Sequence, residues 1–315
     1  MREKLEERQA TFYFIVLGVA FIYGYFFQTS SSLLEQWIPF VLAVLLYSMF
    51  SQIPFFTKYD FRVNLRFFFA LFAVNFIVVP LVVYGLVTFL PTEPALRLAV
   101  YLVLLAPCVD YVIVFTALGQ GDAKQMLFAT PFLLILQLII LPFELWFFVG
   151  SEALALMQWK PFLTSFLWIF VLPLFVAVTI QYCLRFDSPI RKIQQASAWL
   201  PVPTMALTIF VIVAPQVQRM ANMKEEIFAV IPIYIAFIVI MPILSVMIAR
   251  LYRLKKPAER ALIFSGFTRN SLAVLPLTFA LPPAMQSLTM TIILTQTVCE
   301  LVFELIYIRL VPKWT

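Results

Sequence analysis

Leu105-Ala106-Pro107-Cys108-Val109-Asp110-Tyr111 sets a proline and then a carboxylate in the middle of an otherwise apolar run, Ala95 to Leu118. Proline removes a helix hydrogen bond and clashes with the preceding turn, so a helix through this run must break at Pro107. Broken backbone at membrane depth is tolerated only where protein or a water-filled cavity receives it. A second stretch answers the first. Ser265-Gly266-Phe267-Thr268-Arg269-Asn270-Ser271, inside the run Ala258 to Leu281, gathers polar groups around a guanidinium, with Gly266 as the permissive backbone position. Asp110 and Asn270 lie 160 residues apart.

Outward from these two runs, apolar segments separated by loop signals give spans near Thr11 to Phe27, Trp37 to Ile53, Arg66 to Leu90, Ala95 to Leu118 and Ala123 to Phe148. A second set follows near Pro161 to Leu184, Ile193 to Val217, Ile227 to Leu251, Ala258 to Leu281 and Ala284 to Leu310. A spanning helix needs roughly 20 apolar residues, so the chain has length for about ten. The composition agrees: 63% hydrophobic and 12% charged over 315 residues, with mean hydropathy +0.99, is too apolar for a soluble chain. The expected fold is an all-α integral membrane protein of ten transmembrane helices.

The basic residues orient it. With the N-terminus in the cytoplasm, seventeen of the 22 Lys and Arg residues lie on the cytoplasmic side, among them Arg2, Lys58, Lys124, Arg191 and Arg253. The opposite side holds only Arg97, Lys160, Arg219 and Lys224. The positive-inside rule therefore places both termini in the cytoplasm of a multi-pass protein of the cell membrane. The net charge of +6 then reflects topology, and nucleic acid is not an expected partner.

The halves echo each other. Phe76-Ile77-Val78-Val79-Pro80 is matched by Phe237-Ile238-Val239-Ile240-Met241-Pro242, and Phe143-Glu144-Leu145 after Gln137 by Phe303-Glu304-Leu305 after Gln296. Residues 1–150 and 151–315 are thus expected to be two five-helix repeats. An odd span number inverts the second relative to the first, a plan common among secondary transporters, which bind cargo at broken helices near the midplane.

The intramembrane polar groups supply the candidate site. Charges at bilayer depth cost a few kcal/mol or more, so Asp110 and Arg269 are expected to face the interior and to neutralise each other, as a structural latch or as part of a substrate or proton site. Glu300 and Glu304 stand one turn apart with Gln296 a turn before them, and two close carboxylates do not both ionise readily, so Asp110, Glu300 and Glu304 are the candidate proton carriers. Glu144, near a span end, is expected to snorkel to the interface. Cys108 beside the break reads either as a small buried hydrophobe or as a ligand. With no His in the chain, catalytic triads and imidazole–zinc sites are excluded, and Asp110 is the single aspartate within a span, so an aspartyl protease is excluded as well. No enzyme, metal or cofactor is expected.

At these residues the sequence resembles the bile acid/sodium symporter superfamily, and within it the arsenite-exporter branch. The carriers of the resemblance are Ala106-Pro107-Cys108 with Gly121-Asp122, then Thr268-Arg269-Asn270-Ser271 and Gln296 to Glu300. It implies a core domain of spans three to five and eight to ten, a panel domain of spans one, two, six and seven, and unwound fourth and ninth spans that cross near the midplane. It also implies roles for Cys108 and Glu300 in arsenite transport, which suits a thiophilic trivalent arsenic centre. In the sodium-coupled branch a Glu-x-x-x-Gln-Asn pattern of the ninth span binds sodium. Here those places read Ser265, Arg269 and Asn270, so a fixed cation stands where sodium would sit. Asp110 departs from both branches.

The expected function is secondary transport: efflux of arsenite or a similar small oxyanion, coupled to protons rather than sodium. The alternative is a sodium- or proton-coupled symporter of organic anions. The expected binding residues are Cys108, Asp110, Thr268, Arg269, Asn270, Ser271, Gln296 and Glu300. The expected partners are the cargo and the lipid bilayer, with the protein a monomer or weak homodimer.

Overall fold

The computed structural model describes residues 9–52, 55, 65–109, 111–155, 164, 166–183, 199–279 and 281–315, and these form helices and turns without a strand. In chain order the main helices are α1 (Gln9–Phe26), α2 (Gln28–Ser32), α3 (Ile38–Phe50), α4 (Leu65–Val87), α5 (Pro94–Leu105), α6 (Val112–Leu118), α7 (Ala123–Ala155), α8 (Leu172–Cys183), α9 (Pro201–Asn222), α10 (Lys224–Leu251), α11 (Lys256–Phe267), α12 (Ser271–Thr278) and α13 (Pro283–Trp314). Prolines open several of them: Pro39, Pro94, Pro201 and Pro257 sit in the first turn, where the missing N–H has no helical acceptor to lose.

Among the described residues, five helices are long and apolar enough to cross a membrane: Gln28–Phe50, Leu65–Val87, Ala123–Gly150, Lys224–Leu251 and Met285–Trp314. Thr11–Phe26, Pro94–Leu105, Leu167–Cys183 and Pro201–Val217 are shorter apolar helices. The fourth and ninth runs are each split in two, as α5/α6 and α11/α12, while the beginnings expected for the sixth and seventh spans fall in 156–163 and 184–198, outside the described residues. Large apolar side chains stand outward along the helices, including Phe69, Phe143, Trp146, Phe147, Phe175 and Phe228. So much exposed aromatic surface identifies a bilayer as the solvent, and the chain as a multi-pass membrane protein.

The chain divides into two compact units. The first comprises Met1–Thr57, Met157–Lys224 and Leu275–Ser287. Within it α9 packs along α1 and α3, and α8 along α3. The approach of α1 to α9 depends on Gly24, where a Cβ would stand 2.1 Å from the Ala214 carbonyl oxygen. Tyr23 meets Phe210 and Phe50 meets Phe170, with ring centroids 5.3 and 5.2 Å apart.

The second unit comprises Lys58–Leu156, Glu225–Val274 and Leu288–Thr315. In it α7 packs against α5 and α6, and α11 against α4 and α6. Midway along α4 the residues Val74–Val78 form a π turn. The wider turn lies directly before Pro80, whose ring would clash with the carbonyl four residues back in a regular helix. At one end of this unit Arg260 ties α11 to α13, with Nε donating to Thr315 Oγ1 (2.9 Å) and an Nη to the Pro312 carbonyl (3.2 Å).

Candidate functional site

Two broken helices meet in the second unit. After α5 ends at Leu105, Ala106 has extended backbone (φ −87°, ψ 109°) and leaves its carbonyl without a helical donor. After α11 ends at Phe267, Thr268 is likewise extended (φ −76°, ψ 134°). The two extended stretches pair: Pro107 and Arg269 form an antiparallel bridge, and Asn270 N–H donates to the Ala106 carbonyl at 2.9 Å. The bridge lets each break satisfy part of the other's exposed backbone, which apolar surroundings demand.

The Arg269 side chain, 0% exposed, turns back over the ends of both helices. Its guanidinium donates to the Ser265 carbonyl (2.6 Å), the Gly266 carbonyl (2.9 Å), the Leu104 carbonyl (3.4 Å) and Asn75 Oδ1 (3.0 Å). The carbonyls at the C-terminal ends of helices carry partial negative charge, and two such ends converge here on one cation. Phe237 lies beneath it, with the guanidinium carbon 5.6 Å from the ring centroid. Close approach at Gly266 is required, because a Cβ there would come within 2.2 Å of Ser245 Oγ. Asn75, in the π turn of α4, holds its own place by donating to the Leu71 carbonyl (3.1 Å) and Ser265 Oγ (3.0 Å).

Glu300 of α13 addresses the other side of the crossing. Its carboxylate accepts from the Arg269 backbone N–H (2.8 Å), from the Tyr111 hydroxyl (2.7 Å) and from Gln296 Nε2. Tyr111 also lies 2.9 Å from the Arg269 carbonyl. Three donors converge on this one buried carboxyl group and fill the acceptor positions that burial takes away from water.

The remaining sequence-predicted residues divide by role. Thr268 bonds back to the Phe264 carbonyl and closes the end of α11. Asn270 accepts from Ala273 N–H (3.3 Å) and opens α12. Ser271 accepts from Thr297 of α13 at 2.8 Å. Cys108 is fully buried in the stretch between α5 and α6, next to the bridging Pro107, and is a thiol rather than half of a disulfide. Glu304 is fully buried one turn beyond Glu300. Asp110, and with it the expected Asp110–Arg269 pair, lies outside the described residues. Among the described residues no group of three metal-ligating side chains comes together.

One expectation is overturned. Glu144 does not snorkel; its side chain is buried against protein, with 8% of its surface exposed. Position near a span end leaves its direction open, and α7 presents it on the same stripe as the buried Thr130 and Gln137. The sequence reading does not single out Asn75 or Tyr111. A lone amide five residues before an intramembrane proline, and a hydroxyl directly after the break, are the signals that point to them.

The model of the sodium bile acid symporter family matches residues 39–226, a stretch that takes in the first break but not the second. No curated protein resembles the chain closely enough to count as a match. With more than half of its length matched and its two breaks joined around buried charge, the chain belongs to the sodium bile acid symporter family, whose members are transporters.

Proposed function

We propose that the protein is a secondary active transporter that exports arsenite or a similar small oxyanion by alternating access, driven by protons rather than sodium. The reading takes the second unit as the core and the first as the panel, in two inverted five-helix repeats with both termini in the cytoplasm. The single observation that carries it is the crossing of two broken helices around Arg269 and Glu300. Exposed peptide groups at such a break give a cargo its partners at membrane depth.

Two features favour protons over sodium here. The oxygens that a small monovalent cation would seek, the Ser265, Gly266 and Leu104 carbonyls and Asn75 Oδ1, already hold a covalently tethered cation. Buried carboxyl groups stand beside it, and carboxyl groups can bind and release protons. Cys108 in the break offers a thiol of the kind trivalent arsenic prefers.

Organic-anion uptake is the second reading, and the family match favours it. Arsenite accumulation in cells lacking their own exporter tests the first: the intact chain should lower accumulation and Cys108→Ala, expressed equally, should not. Accumulation unchanged by either chain removes arsenite, and sodium-dependent uptake of an organic anion into vesicles then becomes the expected result.

A further inference from the structure

Both carboxyl oxygens of Glu144 are buried and find no hydrogen-bond partner among the described residues. An ionised carboxylate stripped of water and given no donor carries a cost of several kcal/mol or more. A neutral carboxyl avoids that cost. Among the described residues Arg269 already has another carboxyl neighbour in Glu300, which takes its backbone N–H and two further hydrogen bonds.

Arg269 has one group left over as well. Its Nε–H is buried and has no acceptor among the described residues, and its charge lies within electrostatic range of Glu144. A buried donor and a buried acceptor in the same unit, each unfilled, call for an explanation, and a partner met in another conformation is one. The titratable neighbours are few. Tyr101 of α5 stacks on Phe148, one turn along α7 from Glu144, and Tyr84 of α4 meets the same ring at a tilt, with centroids 5.6 Å away in each case. From the crossing, the described charged groups are Arg269 and Glu300, and Arg269 is the one that acts on Glu144.

A route to Glu144 is also built into α7. Thr130, Gln137 and Glu144 recur every seven residues and all are buried, and Gln137 Oε1 likewise has no partner among the described residues. Seven residues are two helical turns, so the three form a polar line along one side of an otherwise apolar helix.

We propose that Glu144 is a proton-exchange site of the transport cycle, protonated in the conformation described and ionised when water reaches its side of α7. On ionisation the carboxyl O–H bond breaks, the electron pair stays on the carboxylate oxygen and the proton passes to water. The new carboxylate then takes the vacant Nε–H of Arg269. This deepens the proton-coupled reading and rests on it for the link to flux, whereas the protonation itself is observable without any cargo.

The test is pH-difference infrared spectroscopy of the full chain in lipid vesicles, read at the carboxylic-acid C=O stretch in H2O and D2O. Wild type should show a C=O band that disappears as pH rises. Glu144→Gln should lose that band, Glu144→Asp should keep it with a shifted midpoint, and Glu304→Gln should leave it in place. A Glu144→Gln spectrum superimposable on wild type overturns the proposal; so does loss of the band in Glu304→Gln with retention in Glu144→Gln. Should Glu144→Gln fail to fold, a Glu144→Asp spectrum identical to wild type in band position and midpoint overturns it too. If arsenite export is absent while the band follows Glu144, the cargo assignment falls and the proton site stands.

Discussion

The two units of the chain are built from similar helices and differ in what they bury. In the first, every buried polar side chain among the described residues is an amide or hydroxyl: Ser31, Ser48, Ser51, Thr204, Thr208, Gln216 and Thr278. Most of these hydroxyls bond to the carbonyl three or four residues back on their own helix, and Ser48 meets Thr204 across helices at 3.0 Å. In the second unit Glu144, Arg269, Glu300 and Glu304 are all buried, whereas none of the first unit's buried residues, among those described, is charged. One unit solves a packing problem. The other holds charge at membrane depth, which is costly and marks function in an intramembrane segment.

The sharpest way to break that contrast is to unbalance the charge. Glu300→Gln or Arg269→Met alone should each destabilise the protein by about 3–5 kcal/mol, because a buried partner charge is left uncompensated. The double variant should recover much of that loss in a thermal-unfolding cycle carried out in detergent. Additive losses would mean that the two groups do not act as a pair.

A change of pure shape should strike the first unit next hardest. Gly24→Ala drives a Cβ to 2.1 Å from the Ala214 backbone oxygen, and backbone cannot rotate aside. A loss of about 1–3 kcal/mol is expected, seen as a lower unfolding midpoint, with the pH-dependent infrared bands of the second unit unchanged. Bands that changed with it would mean that charge and packing are not separable.

In the second unit, Asn75→Ala removes one of three acceptors that share a guanidinium Nη, leaving the Ser265 and Gly266 carbonyls, and losing this hydrogen bond to a charged group should cost about 1–3 kcal/mol. Transport should fall more than stability does, since Asn75 fixes the position of Arg269. Transport kinetics in vesicles beside unfolding midpoints would separate the two effects. Smallest of all, Ser48→Ala should cost about 0.5–1.5 kcal/mol and leave transport rates at wild-type values, because Thr204 keeps its bonds to the Leu200 and Pro201 carbonyls.

Much of the fold can be read from the chain because the bilayer writes plainly. Long apolar runs mark the helices, and Pro107 and the Gly266–Ser271 cluster mark both breaks. Glu300 and Arg269 are legible as site residues because a bilayer makes an ionisable group in an apolar run costly, so such a group is kept chiefly where it serves a site. Direction is harder. Periodicity cannot tell whether Glu144 points to protein or to the interface, nor that Arg269 meets carbonyl oxygens, Asn75 and Glu300 among the described residues. Backbone acceptors leave no trace in residue types. Asn75 is obscured for a related reason, since its reach depends on a π turn that no hydrophobic pattern announces.

That turn has a consequence for how such a protein can change over generations. A π turn holds one residue more than the α-helix around it, so the segment Val74–Val78 behaves as a one-residue insertion retained in place. Deleting a single residue between Leu71 and Pro80 would return α4 to ordinary winding with its two halves facing as before, whereas the same deletion elsewhere in α4 would rotate one half by about 100° against the other. Phe67, Ala70 and Leu71 would stay buried, and the loss would fall on Asn75, whose amide reaches Arg269 from this turn. The extra residue is therefore kept by what Asn75 holds and not by packing, and a single-residue deletion here should cost transport more than it costs folding.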